Sequence, residues 1–408
     1  MNSISYVLRS KDIPLVEFDL HVQQEKIQGE IDLQYHLEIK KVYSENVALM
    51  PKNLSSINER SLLKWIQNRK APKNRQFVNK IMTAYEDNRS PISYVDVSYA
   101  LSVNDAYWVT NQSFLRRWKD CNLYEHKFDE ILAYVAFTGH SEKISGLITS
   151  PEFTTDGAQK KSWSNRYDDI YLIKGGTEFL TRPDGRSDIF SEYYASQVAE
   201  AMGFFHVAYD LEEFKHKNGE KELVSICKLF TSESEGYVPI YYLLKDRKDI
   251  HLENIESFKT ELQIGEIYGE DAFQDLMLFD SIIYNVDRHL KNFGVLVDND
   301  TGKIIGSAPL FDHGMSLLVG AAGVELEKPY EYVKTIKSAF DIDFDLQAKR
   351  FVQKRHIKNL RKLTTFHFKR HEKFNLPDKM LIMIELLVQK RGRDILQLYH
   401  EKNNNLVR

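Results

Sequence analysis

The stretch YNVDRHLKNFG, residues 284–294, constrains the fold more than any other. It sets Asp287, Arg288, His289, Lys291 and Asn292 between two apolar runs, LMLFDSIIY before it and FGVLV after it. Both runs have the texture of core, where charge is costly unless it is paired or hydrogen-bonded. The polar cluster is therefore either a satisfied internal network or a site. FGVLVDNDTGKIIGSAPLF then reads as a hairpin, two apolar strands joined by a turn at 298–302. The hairpin returns the chain on itself, so Asp312, just past the second strand, is expected near Asn292, just before the first. Two carboxylates and one amide oxygen converge.

Phosphoryl transfer uses such a set. One carboxylate orients the attacking hydroxyl and accepts its proton, while a second carboxylate and an Asn oxygen hold Mg²⁺ against nucleotide phosphates. Protein kinases place an Asp, an Asn five residues later, and a further Asp after a hairpin, the order of Asp287, Asn292 and Asp312 here. Lys174 ends the apolar run IYLIK and can reach the α/β-phosphates, and Glu192 on the next helix can pair with it. Singly, each residue has an ordinary reading. An Asp–Asn pair beside a strand is turn chemistry, Lys174 a surface lysine, and Glu192 a solvent-face helix residue. The ordered set is far less easily accidental. DNDTGK resembles the start of an EF-hand loop, but Gly302 falls at position 5 where 6 is needed. His289 and His313 lack a second ligand at His-x3-His spacing, and His289 reads as a hydrogen-bonder ordering the loop.

The rest of the chain sets the frame. At 408 residues it exceeds what one core usually serves, so two or three domains are expected. Apolar content of 42% and charged content of 28% are those of a globular protein. A net charge of −4 excludes a generally basic nucleic-acid binder while leaving room for basic patches. Cys121 and Cys227 are the only cysteines, too few for a disulfide framework or a Cys-based zinc site. The start has no apolar secretory core, and no window approaches the roughly 18 apolar residues of a membrane span. A cytoplasmic protein is expected.

Along the chain, residues 1–145 alternate strands and helices, a mixed α/β domain of unread role. HVQQEKIQGEIDLQYHLEI reads as two strands and a turn. Ser56 and Glu59 have capping-box spacing, with Ile57, Leu62, Leu63 and Ile66 as the helical stripe behind them. A second helix is expected from Pro72 onward. Arg60, Lys64, Arg69, Lys70, Lys73, Arg75 and Lys80 concentrate here, either as solvated helix faces or as a partner surface. The aromatic-rich stretch 114–137 reads as helical core. SPEFTTDGAQKKSWSNRYDD reads as a loop. Residues 146–232 then form a small lobe, with a strand ending at Lys174, a helix closed by Gly203, and a hairpin turning at NGE. Residues 233–408 are mainly helical. Within them 348–373 carries ten Lys or Arg and one acid, which is either a solvated helix pair or a surface for an acidic or nucleic-acid-bound target.

NVDRHLKNFG and SAPLFD resemble the paired signatures of HipA-like serine/threonine kinases, N-x-D-R-H-x-x-N and A-P-x-Y/F-D. TTDGAQKK, 154–161, is similar to that family's S-x-x-G-x-Q-x-K phosphate loop, with Thr154 where Ser is usual. The resemblance implies an α+β, two-lobed kinase-like fold related to phosphoinositide kinases, with an additional N-terminal domain and a mainly helical C-lobe. It implies Asp287 as catalytic base and Asn292 and Asp312 as magnesium ligands. It makes Lys174 the ATP lysine, with Glu192 its partner. Gly157, Gln159 and Lys161 become the loop over the phosphates, and 227–230, with Lys228 and Phe230, the adenine hinge. Thr154 and Thr155 become candidates for phosphorylation of the loop itself. ATP and Mg²⁺ are the implied cofactors, a translation-related protein the implied substrate, and a DNA-binding antitoxin a further partner. No membrane association is expected, and direct nucleic-acid binding stays open. A small-molecule or phosphoinositide kinase, or a nucleotide-binding regulatory module, are the alternatives.

Overall fold

The computed structural model describes residues 2–27, 30–54, 56–83, 93–113, 116–140, 150–166, 168–245, 247 and 258–405. They divide into two compact units. The first comprises Met1–Ile173, Thr231–Val238 and Leu296–Ile305; the second comprises Lys174–Phe230, Pro239–Val295 and Gly306–Arg408. The expected boundary at 145/146 lies outside the described residues.

The first unit is built on strands β1 (Asn2–Ser10), β2 (Ile13–Ile27), β3 (Glu30–Val42) and β4 (Tyr107–Asn111), in the order β3-β2-β1-β4. The expected turn between β2 and β3 lies outside the described residues. Alternation along the strands sends Tyr6, Leu8, Phe18, Leu20 and Leu37 to one buried face. Phe18 lies opposite Tyr6 in the register, and their rings stack at 5.7 Å. Helix α1 (Glu59–Arg69) adds Leu62, Trp65 and Ile66 to the same core, each burial contributing about 1.5–3 kcal/mol. Its cap is Asn58, whose Oδ1 accepts from Ser61 N at 2.9 Å. Ser56, the residue whose spacing suggested the cap, instead bonds the Ser61 hydroxyl at 2.9 Å.

Three further readings change here. The helix expected from Pro72 begins only at α2 (Val78–Thr83), because Phe77 before it stands at φ 62°, outside the helical region; residues 84–87 of that expectation lie outside the described ones, and Arg75 is buried in an ion pair with Glu152. Arg69 is likewise buried, against Asp105 at 2.7 Å, so neither arginine belongs to a solvated face. Helix α3 (Ser93–Ser98) follows. In the stretch expected to be helical, 114 and 115 are outside the described residues and only α4 (Glu130–Thr138) is α-helix. Before it, the Asn122 side chain accepts from Tyr124 N and Glu125 N, a local bond that competes with helix. The second half of the expected loop is strand β5 (Lys161–Arg166), beside β6 (Asp169–Gly175).

In the second unit, helix α5 (Asp188–Met202) ends at Gly203, whose φ of 71° needs a residue without a Cβ penalty. Strands β7 (Tyr209–Lys215) and β8 (Lys221–Lys228) form the expected antiparallel hairpin. A short strand, β9 (Glu235–Pro239), all but its last residue in the first unit, precedes α6 (Ile240–Leu244), α7 (Phe258–Tyr268) and α8 (Glu270–Ile283). Helix α8 buries Leu276, Phe279, Ile282 and Ile283 and ends at Tyr284, at φ 56°. The hairpin after the opening motif is β10 (Gly294–Asp298) and β11 (Ile304–Ser307), in a sheet ordered β11-β10-β9, and its 296–305 portion belongs to the first unit. Helical C-terminal elements complete the unit, the longest spanning Asp378–Asn405.

Candidate functional site

The second unit gathers residues far apart in the chain around Lys174. The lysine is the penultimate residue of β6 and is buried. Its Nζ pairs with Glu192 Oε1 from α5 and with Asp312 Oδ1 at 2.9 Å. Burial alone would lower the lysine's pKa, but the Asp312 and Glu192 carboxylates outweigh it and hold the ammonium well above its ordinary value. Burial pushes the Glu192 carboxyl up to about 7 in spite of Lys174. Its second oxygen, Oε2, is buried and has no hydrogen-bond partner among the described residues.

Asp312 sits at φ 60°, a conformation uncommon for a side-chain-bearing residue, and its N–H donates to the Tyr209 hydroxyl at 3.0 Å. Its side chain is 35% exposed, so the carboxylate is reachable from solvent. Phe311, immediately before it, packs against Phe230 with ring centroids 5.5 Å apart. Lys228, at the end of β8, is exposed.

The opening motif is divided rather than uniformly buried. Arg288 and Asn292 are buried, whereas Asp287, His289 and Lys291 are exposed. Arg288 is the internal strut. Its Nε and Nη2 donate to Asp280 on α8, and its Nη1 donates to Asn292 O at 2.9 Å and Phe311 O at 2.5 Å. One guanidinium thus ties α8, the 285–292 loop and the segment carrying Asp312. Removing one partner of such a buried pair would cost about 3–5 kcal/mol. Asn285 bonds Asp280 through its Nδ2 and accepts from Asp287 N. Asn292 Nδ2 donates to Asp287 O at 3.0 Å, closing the loop across five residues. His289 accepts from Lys291 N through Nδ1 and receives Asn292 N on its carbonyl, in line with an ordering role. Partial loss of hydration pushes the Asp287 carboxyl above its usual value, aided by the like charge of Asp312 and opposed by His289. His313 is buried and held well below the ordinary histidine range by burial and then by Arg288; its Nε2 has no partner among the described residues.

Sequence reasoning missed Asp280 and Arg288 as a scaffold. The signal was the single acid within LMLFDSIIY, eight residues before an arginine.

The loop 154–161 belongs to the first unit. Gly157 has φ 90°, which any side chain would strain. Lys161 folds its Nζ back onto Asp156 O at 2.8 Å, and Gln159 lies between these two residues. Thr154 and Thr155 are both buried. The Thr154 hydroxyl donates to Leu101 O and the Thr155 hydroxyl to Pro151 O, each at 2.7 Å.

Elsewhere in this unit, oxygen or nitrogen atoms of Asp19, His21 and Glu38 lie within 4.8 Å of one another. The Lys40 ammonium already stands there, 3.4 Å from Asp19 and 2.8 Å from Glu38, and supplies the positive charge.

No family model matches the chain, and no curated protein matches it. Solved structures do. The complex of HipA, HipB and operator DNA from the toxin–antitoxin system of Shewanella oneidensis MR-1 contains a chain that is 10% identical. It aligns with a TM-score of 0.56 over 98% of this chain and 99% of that one. The proinflammatory kinase CtkA of Helicobacter pylori is 17% identical, covering 61% of this chain and 92% of its own at a TM-score of 0.42. The fold, with its mixed helix and sheet, is that of a HipA-like kinase; the Shewanella structure carries that assignment.

Proposed function

We propose that the chain is an ATP- and Mg²⁺-dependent serine/threonine protein kinase of HipA type, acting in the cytoplasm as the toxin of a toxin–antitoxin pair. Residues 146–232 and 233–408 are its two lobes, with 1–145 an additional N-terminal domain. The observation that carries the reading is the junction at Lys174. A buried ammonium joins a carboxylate on a helix, Glu192, to a partly exposed carboxylate, Asp312. Arg288 binds the segment before that carboxylate to the loop bearing Asp287 and Asn292.

The donors suit a hard cation and a polyphosphate. Asp312 and Asn292 offer oxygen atoms alone, the ligands Mg²⁺ prefers. Asn292 commits its Nδ2–H to Asp287 O, so its Oδ1 is the end a cation would meet. Asp312 and Asn292 would hold Mg²⁺, which would supply neutralisation of phosphate charge there. Asp287 is exposed to an incoming hydroxyl, accepts its proton, and is positioned through Asn285 and Asn292. Lys174 directs positive charge at the α/β-phosphates, and Glu192 keeps it in place. Gly157, Gln159 and Lys161 are proposed as the phosphate-loop residues, and Lys228 and Phe230 as the residues for the base.

The substrate is a protein hydroxyl, with a translation-related protein as the expected target. The presence of HipB and operator DNA in the Shewanella complex favours a DNA-binding antitoxin as partner. Thr154 and Thr155 are proposed self-phosphorylation sites. To accept phosphate, either hydroxyl must leave its carbonyl partner, so modification accompanies opening of the loop. Phosphopeptide mapping of protein incubated with Mg–ATP should find one of them modified, and recovery of both unmodified from active protein removes that role.

Calorimetric titration with Mg–ATP tests the site itself. Asp312→Asn should weaken binding about tenfold or more, equivalent to ~1.4 kcal/mol. Unchanged binding in both Asp312→Asn and Lys174→Met variants would exclude this junction as the nucleotide site.

A further inference from the structure

The first unit contains a buried ion pair that the phosphotransfer reading does not use. Arg75 and Glu152 side chains are 0% and 1% exposed and meet at 2.6 Å. The guanidinium does more than neutralise the acid. Nη1 donates to Glu152 O at 2.6 Å and to Thr155 O at 3.4 Å, and Nη2 donates to Lys161 O at 3.1 Å. Thr155 and Lys161 lie at the two ends of the loop that carries Gly157. The next residue adds a third attachment, because Gln76 N donates to Ala158 O at 2.8 Å. Glu152 holds the far side by accepting Trp163 N at 2.8 Å, while Trp163 Nε1 donates to the Thr155 hydroxyl at 2.8 Å.

We infer that Arg75 is a positioning residue for the phosphate loop, clamping both of its ends so that its backbone keeps a single conformation for nucleotide. A planar fork with several fixed donors suits the task, and a lysine could not bridge the same carbonyls. The clamp comes from the segment between α1 and α2, which gives part of residues 1–145 a role in nucleotide binding. The inference rests on the reading of 154–161 as a phosphate loop.

The test compares wild type with Arg75→Gln/Glu152→Gln, which removes both charges together and leaves no buried ion uncompensated. Glu152→Gln alone is the milder second variant. Hydrogen exchange of the 154–161 amides reads the clamp without nucleotide, and Mg–ATP kinetics read its consequence. The expected result is faster exchange confined to this loop and its flanks. With it, KM for ATP should rise about tenfold while kcat at saturating ATP stays near wild type, as for lost ground-state binding. Unchanged loop exchange in a folded double variant overturns the clamp. Faster exchange with unchanged KM overturns its role in positioning. If wild type binds no ATP at all, the functional reading fails, and loop exchange still decides whether Arg75 holds the loop.

Discussion

At the residue scale, Glu192 is a buried carboxyl against the Lys174 ammonium. Burial raises its carboxyl from 4.5 to about 7 in the folded chain. The folded state therefore binds a proton between those values that the unfolded chain has released. The stability this contributes is full below pH ~4.5 and is lost as pH rises through about 7. Unfolding of nucleotide-free protein, followed from pH 4.5 to 7.5, should show wild type losing stability relative to Glu192→Gln across that window. A constant difference between the two would mean that Glu192 is ionised throughout. Asp287, Asn292, Asp312, Lys174 and Glu192 were singled out because their chemistry comes in a specific order, and the structure brings Lys174 against Glu192 and Asp312, and Asn292 against Asp287. The Asp280–Arg288 strut was not, since a lone acid in an apolar helix leaves the pattern apolar. Its partner is recognised only once the chain has folded.

At the element scale, regular periodicity read correctly and local side-chain bonds did not. α5 and the β7–β8 hairpin follow from helical spacing closed by Gly203 and from alternation around a turn. The 116–129 stretch has helical composition, yet Asn122 draws the backbone into turns. β5 escaped notice because KSWSNR is polar, although Lys161, Ser162 and Trp163 are buried. The start of α1 offers a sharp test of cap assignment. Asn58→Ala should destabilise the protein by about 1 kcal/mol in urea unfolding, and Ser56→Ala by much less. The reverse ranking would return the cap to Ser56. The basic 348–373 stretch also reads differently once folded. Of its ten basic residues, Lys349, Arg350, Arg355, Lys369 and Arg370 meet acids of the same unit. This ion pairing favours a solvated structural surface over a nucleic-acid face.

At the scale of the whole molecule, length and composition anticipated more than one compact unit, and two are present. Composition could not reveal that the first unit draws in 231–238 and 296–305, because the bonds that tie them in, such as Tyr237 N to Asn104 O and Lys11 Nζ to Asp300 Oδ1, join segments far apart in sequence. No described helix is long and apolar enough to cross a membrane. The full-length likeness to the HipA complex chain at 10% identity shows how far a fold outlasts its sequence. The central claim is phosphoryl transfer at Asp287, and it belongs to the intact chain. The deciding measurement incubates purified protein with Mg²⁺ and γ-labelled ATP, alone and with cell lysate, beside Asp287→Asn. Label should appear on protein with wild type and fall about a thousandfold in the variant, the scale of a lost general base, with ATP binding retained. Equal labelling by both proteins, or ATP bound with label on no protein, would contradict the account.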